Sequence, residues 1–84
     1  MYKLEITETA KIQLKRIKKT YEQNAINNAF SEIKEDPFIG KPLSRELTGK
    51  FSYRVGRYRI IYKINYKDMI VRILTAGHRS TVYQ

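Results

Sequence analysis

The chain has 84 residues, a net charge of +9 and no cysteine. This length predicts one domain, 1–84, with a small hydrophobic core. The lack of cysteine excludes disulfides and thiolate metal sites and fits a reducing compartment, so we expect a cytoplasmic protein. With one histidine and eight acidic residues, the sequence predicts no metal centre and no cofactor. It contains no apolar run of membrane-spanning length, and we expect no membrane partner.

The N-terminal half predicts a strand followed by two helices. Residues 2–7 alternate in polarity, as a half-buried strand does, and Thr7 or Thr9 suits the N-cap of the next helix. Two apolar stripes at helical spacing then predict an antiparallel helix pair. The stripes are Ala10, Leu14, Ile17 and Tyr21, then Ile26, Ala29, Phe30 and Ile33. A break at 22–24 separates the helices, Pro37 ends the second one, and 38–50 is predicted to be a connecting loop.

Residues 51–62, with the sequence FSYRVGRYRIIY, predict a tight hairpin. Glycine at position 56 suits the first central position of a two-residue type II′ turn, and such a turn fixes the strand register. In that register Arg54 lies opposite Arg59, and Phe51 lies opposite Tyr62. Because side chains alternate along a strand, one face is apolar and packs on the helices. The other face carries Ser52, Arg54, Arg59 and Lys63.

A third strand is predicted after a turn at 65–68. With a four-residue turn, Tyr62 pairs with Val71 and Arg72 joins the basic face, whereas a slip of one residue would move Arg72 to the opposite face. We expect this strand to end near residue 75, where the chain bends and His78 emerges beside the hairpin arginines. The predicted fold class is α+β: an N-terminal strand, two helices, and a three-stranded antiparallel meander with the helices on one face.

Positive charge is concentrated in the C-terminal part of the chain. Residues 50–84 carry eight basic residues and one acidic residue, which points to a polyanionic partner. Like charges that lie directly opposite one another destabilise a strand pair. An anion bound between Arg54 and Arg59 would turn this repulsion into attraction. The alternative is that both side chains only spread into water.

Such a basic face suits internal cleavage of RNA, in which the ribose 2′-hydroxyl attacks the adjacent phosphorus. The protein must help to remove the hydroxyl proton, stabilise the charge on phosphorus and protonate the leaving oxygen. Arginine fits the second task through its forked donors. His78 fits proton transfer, and Tyr83 suits proton donation or stacking on a base. Alternatively, His78 is a surface or capping residue, and Tyr83 holds the C-terminus by packing.

Three segments carry a family resemblance: PFIGKPL at 37–43, YRVGRYRIIY at 53–62 and GHRSTVY at 77–83. With the predicted order of elements, they resemble the RelE/ParE toxin superfamily of toxin–antitoxin systems over nearly the whole chain. The RelE branch of that superfamily cleaves mRNA in the ribosomal A site. The resemblance implies that Arg59 contacts the scissile phosphate, that Arg54 and Arg79 stabilise its charge, and that Tyr83 stacks or assists proton transfer.

The chain departs from the RelE pattern at Ser52, where a lysine is expected. Lys50, two residues earlier on the same face, or His78 would then take the proton-transfer role. The expected contacts with RNA come from Lys50, Ser52, Arg57, Lys63 and Arg72. The resemblance also implies three partners: a small antitoxin with an acidic and apolar wrapping segment, the ribosome with its rRNA, and mRNA.

Two other functions fit the same sequence. The first is a ParE-type inhibitor of DNA gyrase with no chemistry of its own, since both branches share the fold and Ser52 weakens the match to the RNases. The second is a non-toxic relative that binds only its antitoxin or nucleic acid through the arginine face.

Overall fold

The computed structural model describes residues 1–78, which form a five-stranded sheet and two α-helices. In chain order the elements are β1 (Lys3–Ile6), α1 (Glu8–Lys15), α2 (Thr20–Glu35), β2 (Lys41–Pro42), β3 (Lys50–Val55), β4 (Tyr58–Asn65) and β5 (Ile70–His78). Short 3-10 turns lie at Pro37–Ile39 and Arg45–Leu47. The predicted α+β class is confirmed.

The strands are ordered β1-β5-β4-β3-β2, with β1 parallel to β5 and the other pairs antiparallel. Both helices cover the same face of this sheet and bury one core with it. The buried core residues are Ala10, Ile17, Ile26, Ala29, Phe30, Ile33, Ile60, Tyr62, Val71, Ile73 and Ala76. Alternate strand residues point to the other face, which we call the open face.

The boundary between the helices differs from the predicted one. Thr7 is the N-cap of α1 and accepts a hydrogen bond from the Ala10 amide at 3.2 Å. The helix ends at Lys15, and α2 begins at Thr20, so the predicted break at 22–24 is wrong and falls within α2. The predicted stripe was misleading at Tyr21, which is 67% exposed rather than part of the core.

The hairpin of β3 and β4 has the predicted register. Arg54 pairs with Arg59, and Phe51 pairs with Tyr62. Gly56 has a φ of +58°, and Arg57 is not among the residues with positive φ. This combination excludes a type I′ turn, which needs positive φ at both central residues, and agrees with type II′.

The pairing of β4 with β5 is shifted from the predicted register, by two residues from Tyr62 to Asn65 and by three from Tyr58 to Ile61. Tyr62 pairs with Ile73 rather than Val71, and between Ile61 and Tyr62 the register shifts because β5 has one extra residue there, Leu74. Because the shift of two residues is even, Arg72 keeps the predicted face, now opposite Lys63. The strand also continues to His78 instead of ending near residue 75.

The predicted loop 38–50 contains a short edge strand, β2, which pairs with Phe51 and Ser52. Tyr62 fixes the chain just before it. The buried Tyr62 hydroxyl donates to the Pro37 carbonyl at 2.6 Å and accepts from the Gly40 amide at 3.1 Å. Burial raises the pKa of Tyr62 to about 12. A Cβ at Gly40 would lie 2.9 Å from Cζ of Tyr62, so the close approach requires glycine.

Candidate nucleic-acid interface

Two arginines lie side by side at the turn end of the open face. Arg54 and Arg59 are directly opposite each other on β3 and β4. Arg54 is exposed and Arg59 is half-buried. Directly paired residues have Cβ atoms about 5 Å apart, so both guanidinium groups can reach one phosphate. The turn of two residues imposes this arrangement, because it leaves no freedom of register between the arginines.

A second basic row crosses three strands farther from the turn. Lys50 pairs with Lys63, and Lys63 pairs with Arg72. Lys63 lies four positions after Arg59 on β4, which places the two rows about 13 Å apart along the strand. We call these sets the tip row (Arg54 and Arg59) and the distal row (Lys50, Lys63 and Arg72). Together they give the open face a consistently positive charge.

One acidic side chain modifies the distal row. Glu5 lies opposite Arg72 on the parallel strand β1, and its Oε1 accepts from Arg72 Nε at 3.2 Å and Nη2 at 3.1 Å. Among the strands described, Glu5 is the only acidic residue. Both partners are largely exposed, so the ion pair adds little stability. Sequence reasoning missed Glu5, because no local pattern shows that β1 lies beside β5.

The floor between the rows is neutral. Ser52 and Ile61 pair there, and they are 9% and 6% exposed. Ser52 therefore lies on the predicted face, but it is buried among its neighbours, and its role in RNA binding stays a prediction.

Arg57 does not lie on the open face. Its guanidinium binds Glu22 of α2, with Nε 2.9 Å from Oε2 and Nη2 3.4 Å from Oε1. The hydrogen bond from Arg57 holds the pKa of Glu22 below its usual value, against the opposing effect of burial. The structure thus places Arg57 beside α2 rather than with the tip row, and its role in RNA binding stays a prediction. This placement was not predictable, because a turn side chain follows no strand alternation and its partner is distant in sequence.

His78 lies at the predicted end of the sheet but on the opposite face from the tip row. It pairs with Tyr58, whereas Arg59 pairs with Gly77. The rings of His78 and Tyr58 are 6.0 Å apart at 72°. His78 also lines a cavity of about 250 Å³ on the helix side of the sheet, together with Gln13 and Arg16. The expectation that His78 would emerge beside the tip row is thus corrected. The predicted site residues Arg79 and Tyr83 lie outside the described residues.

Comparison with known proteins connects this geometry to a family. The family model for the ParE toxin of the type II toxin–antitoxin system parDE matches residues 4–83. The chain belongs to the RelE/ParE toxin superfamily. Toxin RelG of Mycobacterium tuberculosis is 36% identical over 84 residues, which span 99% of this chain and 97% of RelG. Toxin RelE of the same organism is 32% identical and covers 99% of this chain, with 87% of RelE matched.

A solved structure of this superfamily shares the fold. One chain of the toxin–antitoxin complex RelBE2 from Mycobacterium tuberculosis aligns with a TM-score of 0.82 and 37% identity. The alignment covers 93% of this chain and 98% of that chain. The predicted membership of the RelE/ParE superfamily is confirmed, and the chain is a toxin of the type II toxin–antitoxin class.

Two other kinds of site are not found in this RelE/ParE domain as far as it is described. Within residues 1–78, no three His, Asp or Glu side chains lie close enough together to hold a metal ion. Neither described helix is long and apolar enough to cross a lipid bilayer.

Proposed function

We propose that this toxin is a ribosome-dependent mRNA endoribonuclease that inhibits translation in the cytoplasm. One observation carries the proposal: two arginines, Arg54 and Arg59, lie directly opposite each other on an open strand pair. This arrangement costs stability unless an anion lies between the side chains. The similarity to toxins named RelE and RelG supports the same function.

In this proposal the tip row stabilises the charge that develops on the scissile phosphate. The RNA 2′-oxygen forms a bond to phosphorus, and the bond from phosphorus to the 5′-oxygen breaks. The products are a 2′,3′-cyclic phosphate and a free 5′-hydroxyl. Arg59 and Arg54 donate hydrogen bonds to the non-bridging oxygens throughout, through planar guanidinium groups that match phosphate geometry. The distal row binds the phosphates of the same strand farther along.

The proton-transfer step has two candidates among the described residues. Lys50 lies on the open face, in the distal row, whereas His78 lies on the helix side. We propose Lys50 for this step because it shares the open face with the tip row, and its long, flexible side chain must extend along the strand toward Arg54 to reach the reacting atoms. We retain Arg79 and Tyr83 as proposed contributors to charge stabilisation and base stacking. Because a chain of 84 residues leaves little room for a deep pocket, we propose that ribosomal RNA completes the site.

We further propose that a small acidic and apolar antitoxin binds this toxin and neutralises the open face. The superposed RelBE2 structure is a complex of a toxin with an antitoxin. Charge complementarity favours such a partner, because the described strands contain one acidic residue against the five cations of the two rows.

The proposal is tested by adding the purified protein to a cell-free translation reaction and mapping mRNA 5′ ends by primer extension. We expect cuts within codons that require ribosomes. Arg59→Ala should slow cleavage by about 10²–10³-fold, the usual cost of losing one preorganised donor. The matched control is Lys67→Ala, which removes an equal charge from the exposed turn after β4. Intact mRNA in an arrested reaction, or equal cleavage by both variants, would contradict the proposal.

The second candidate function is inhibition of DNA gyrase. The matching family model is named for the ParE toxin, and Ser52 occupies the position where the RelE branch has a lysine. This candidate predicts loss of supercoiling activity in a reaction that contains only gyrase, plasmid, ATP and the toxin. Unimpaired supercoiling at micromolar toxin would exclude inhibition of gyrase as the function.

A further inference from the structure

Glu22 is the most buried charged side chain among the described residues. It lies near the start of α2 and is 9% exposed. Buried carboxylates are rare unless they are paired, and Glu22 is paired twice. Its oxygens accept from Arg57 Nε at 2.9 Å and from the Tyr58 hydroxyl at 3.2 Å. A residue of the helical layer is thus bonded to two consecutive residues of the hairpin.

The two bonded residues are the last ones before the tip row on β4. Arg57 is the second residue of the turn, and Tyr58 directly precedes Arg59. The Arg57 guanidinium also lies over the Tyr58 ring, 5.7 Å from its centroid. Glu22, Arg57 and Tyr58 therefore form one cluster on the helix side, immediately behind the arginines of the open face. We call this cluster the turn clamp.

The tip row creates a need for such a clamp. Arg54 and Arg59 repel each other near the turn end of the hairpin, where only the pair of Val55 and Tyr58 separates them from the turn and β5 supports only the β4 side. Strand ends open more easily than strand centres, because fewer contacts hold them. A charge-assisted hydrogen bond from a planar guanidinium fixes direction as well as distance. The turn clamp thus opposes the distortion that the like charges favour.

We propose that Glu22 is a positioning residue that holds the turn from the helix side and thereby sets the spacing and direction of Arg54 and Arg59. This inference rests on the proposed endoribonuclease function. It also explains why Arg57, the third arginine at this end of the hairpin, does not contribute to the open face. Glu22 touches no RNA in this account and acts only through the hairpin.

The test compares Glu22→Gln with Glu32→Gln. Both substitutions remove one negative charge from α2, and Glu32 also bonds to the hairpin, through the Tyr53 hydroxyl at 3.2 Å. The Glu32 contact lies farther from the turn, and Glu32 is exposed. Glu32→Gln therefore controls for the change in net charge and for the loss of a contact between helix and strand.

Cleavage is followed in single turnover, with ribosomes programmed with mRNA and the toxin in excess. A smaller folded fraction raises the toxin concentration needed for half-maximal rate, whereas mispositioned arginines lower the rate at saturation. We expect Glu22→Gln to lower the saturating rate about 10- to 100-fold, as misplacement of catalytic groups by about 1 Å does. Glu32→Gln should leave that rate unchanged. An unchanged saturating rate in Glu22→Gln would overturn the proposal.

A second variant, Arg57→Gln, changes an exposed turn residue. It tests the same interaction from the other side if Glu22→Gln does not fold. It should show the same loss of saturating rate, and the double variant should be no slower than either single one, because both changes remove one interaction. If the double variant loses the product of the two single losses in saturating rate, the two residues act independently and the clamp is overturned. Exchange of the charges, Glu22→Arg with Arg57→Glu, should restore part of the rate.

Hydrogen exchange separates failure of the clamp from failure of the proposed function. If the unmodified protein cuts no mRNA, the endoribonuclease function fails, but the clamp is still measurable. We then expect amides at 55–59 to exchange at least about 10-fold faster in Glu22→Gln than in Glu32→Gln, since loss of the clamp makes local opening easier. Equal protection in the two variants would overturn the clamp whatever the protein does.

Discussion

The two faces of the β3–β4 hairpin differ in whether their polar side chains have partners of complementary charge or hydrogen-bonding type. On the helix side, the hydroxyls of Tyr53, Tyr58 and Tyr62 each donate to an acceptor at 2.6–3.2 Å. On the open face, arginine lies opposite arginine and lysine lies opposite lysine. Both sets alternate along the same two strands, so the backbone cannot account for the contrast. The tyrosine hydroxyls of the helix face meet acceptors within the protein, whereas the open face places like charges directly opposite each other, an arrangement that a bound anion would stabilise.

This contrast predicts that substitutions on the two faces act on different properties. Removing a matched group from the helix side leaves a buried donor or acceptor without its partner, which costs stability. Removing a cation from the open face relieves repulsion and should cost activity instead. The same hairpin therefore allows stability and function to be changed separately.

Tyr62→Phe should give the largest change in stability of the three predictions that follow. It removes the partner of the buried Pro37 carbonyl and of the Gly40 amide. We expect the free energy of unfolding to fall by about 1–3 kcal/mol, measured by urea denaturation. The control is Tyr53→Phe, whose hydroxyl bonds to the exposed Glu32, and it should cost less than about 1 kcal/mol. Equal losses would show that burial of the acceptors does not decide the cost.

The sequence was informative wherever a short turn or a local pattern determined the geometry. The two-residue turn at Gly56 fixed the register of β3 and β4, so the opposition of Arg54 and Arg59 was predictable. The alternation of β5 also placed Arg72 on the correct face. Its exact partner was not predictable, because the length of the turn after β4 shifts the register by two residues without changing the face.

Contacts between distant segments were the part that the sequence did not reveal. Glu22 is a polar residue within an apolar pattern, which suggested a break between the helices. In the structure it is helical and buried because Arg57, thirty-five positions away, neutralises it. His78 was assigned to the wrong face because the bulge opposite Ile61 and Tyr62 adds one residue to β5 and reverses its alternation between Arg72 and His78. In both cases the deciding partner lies on another element.

The pH dependence of stability should reveal the turn clamp, with a smaller effect than the loss of Tyr62. Arg57 lowers the pKa of Glu22 below 4.5 in the folded state, so the unfolded state binds the proton more readily. The stabilisation is therefore present above about pH 4.5 and is lost as pH falls through the lower folded pKa. Urea denaturation between pH 6 and 3 should show a shallower decline for Glu22→Gln than for Glu32→Gln. Parallel declines would mean that Glu22 gains nothing from its partners.

The smallest expected effect is on the open face, where Arg54→Gln should stabilise the protein. Arg54 is exposed, so its loss removes repulsion from Arg59 and leaves no buried group unmatched. We expect a gain of about 0.2–1 kcal/mol in urea denaturation at low salt, together with slower mRNA cleavage.

Salt identifies the origin of that gain. At 1 M salt the screening length is about 3 Å, shorter than the spacing of paired side chains, so the gain from Arg54→Gln should largely disappear. Lys67→Gln, in the exposed turn after β4, removes an equal charge that has no like-charged residue opposite it, and it should change stability less at low salt. A gain that persists in 1 M salt would point to strand propensity rather than charge. A loss of stability in Arg54→Gln would mean that the tip row is not a site of repulsion, and the argument that an anion belongs between these arginines would fail with it.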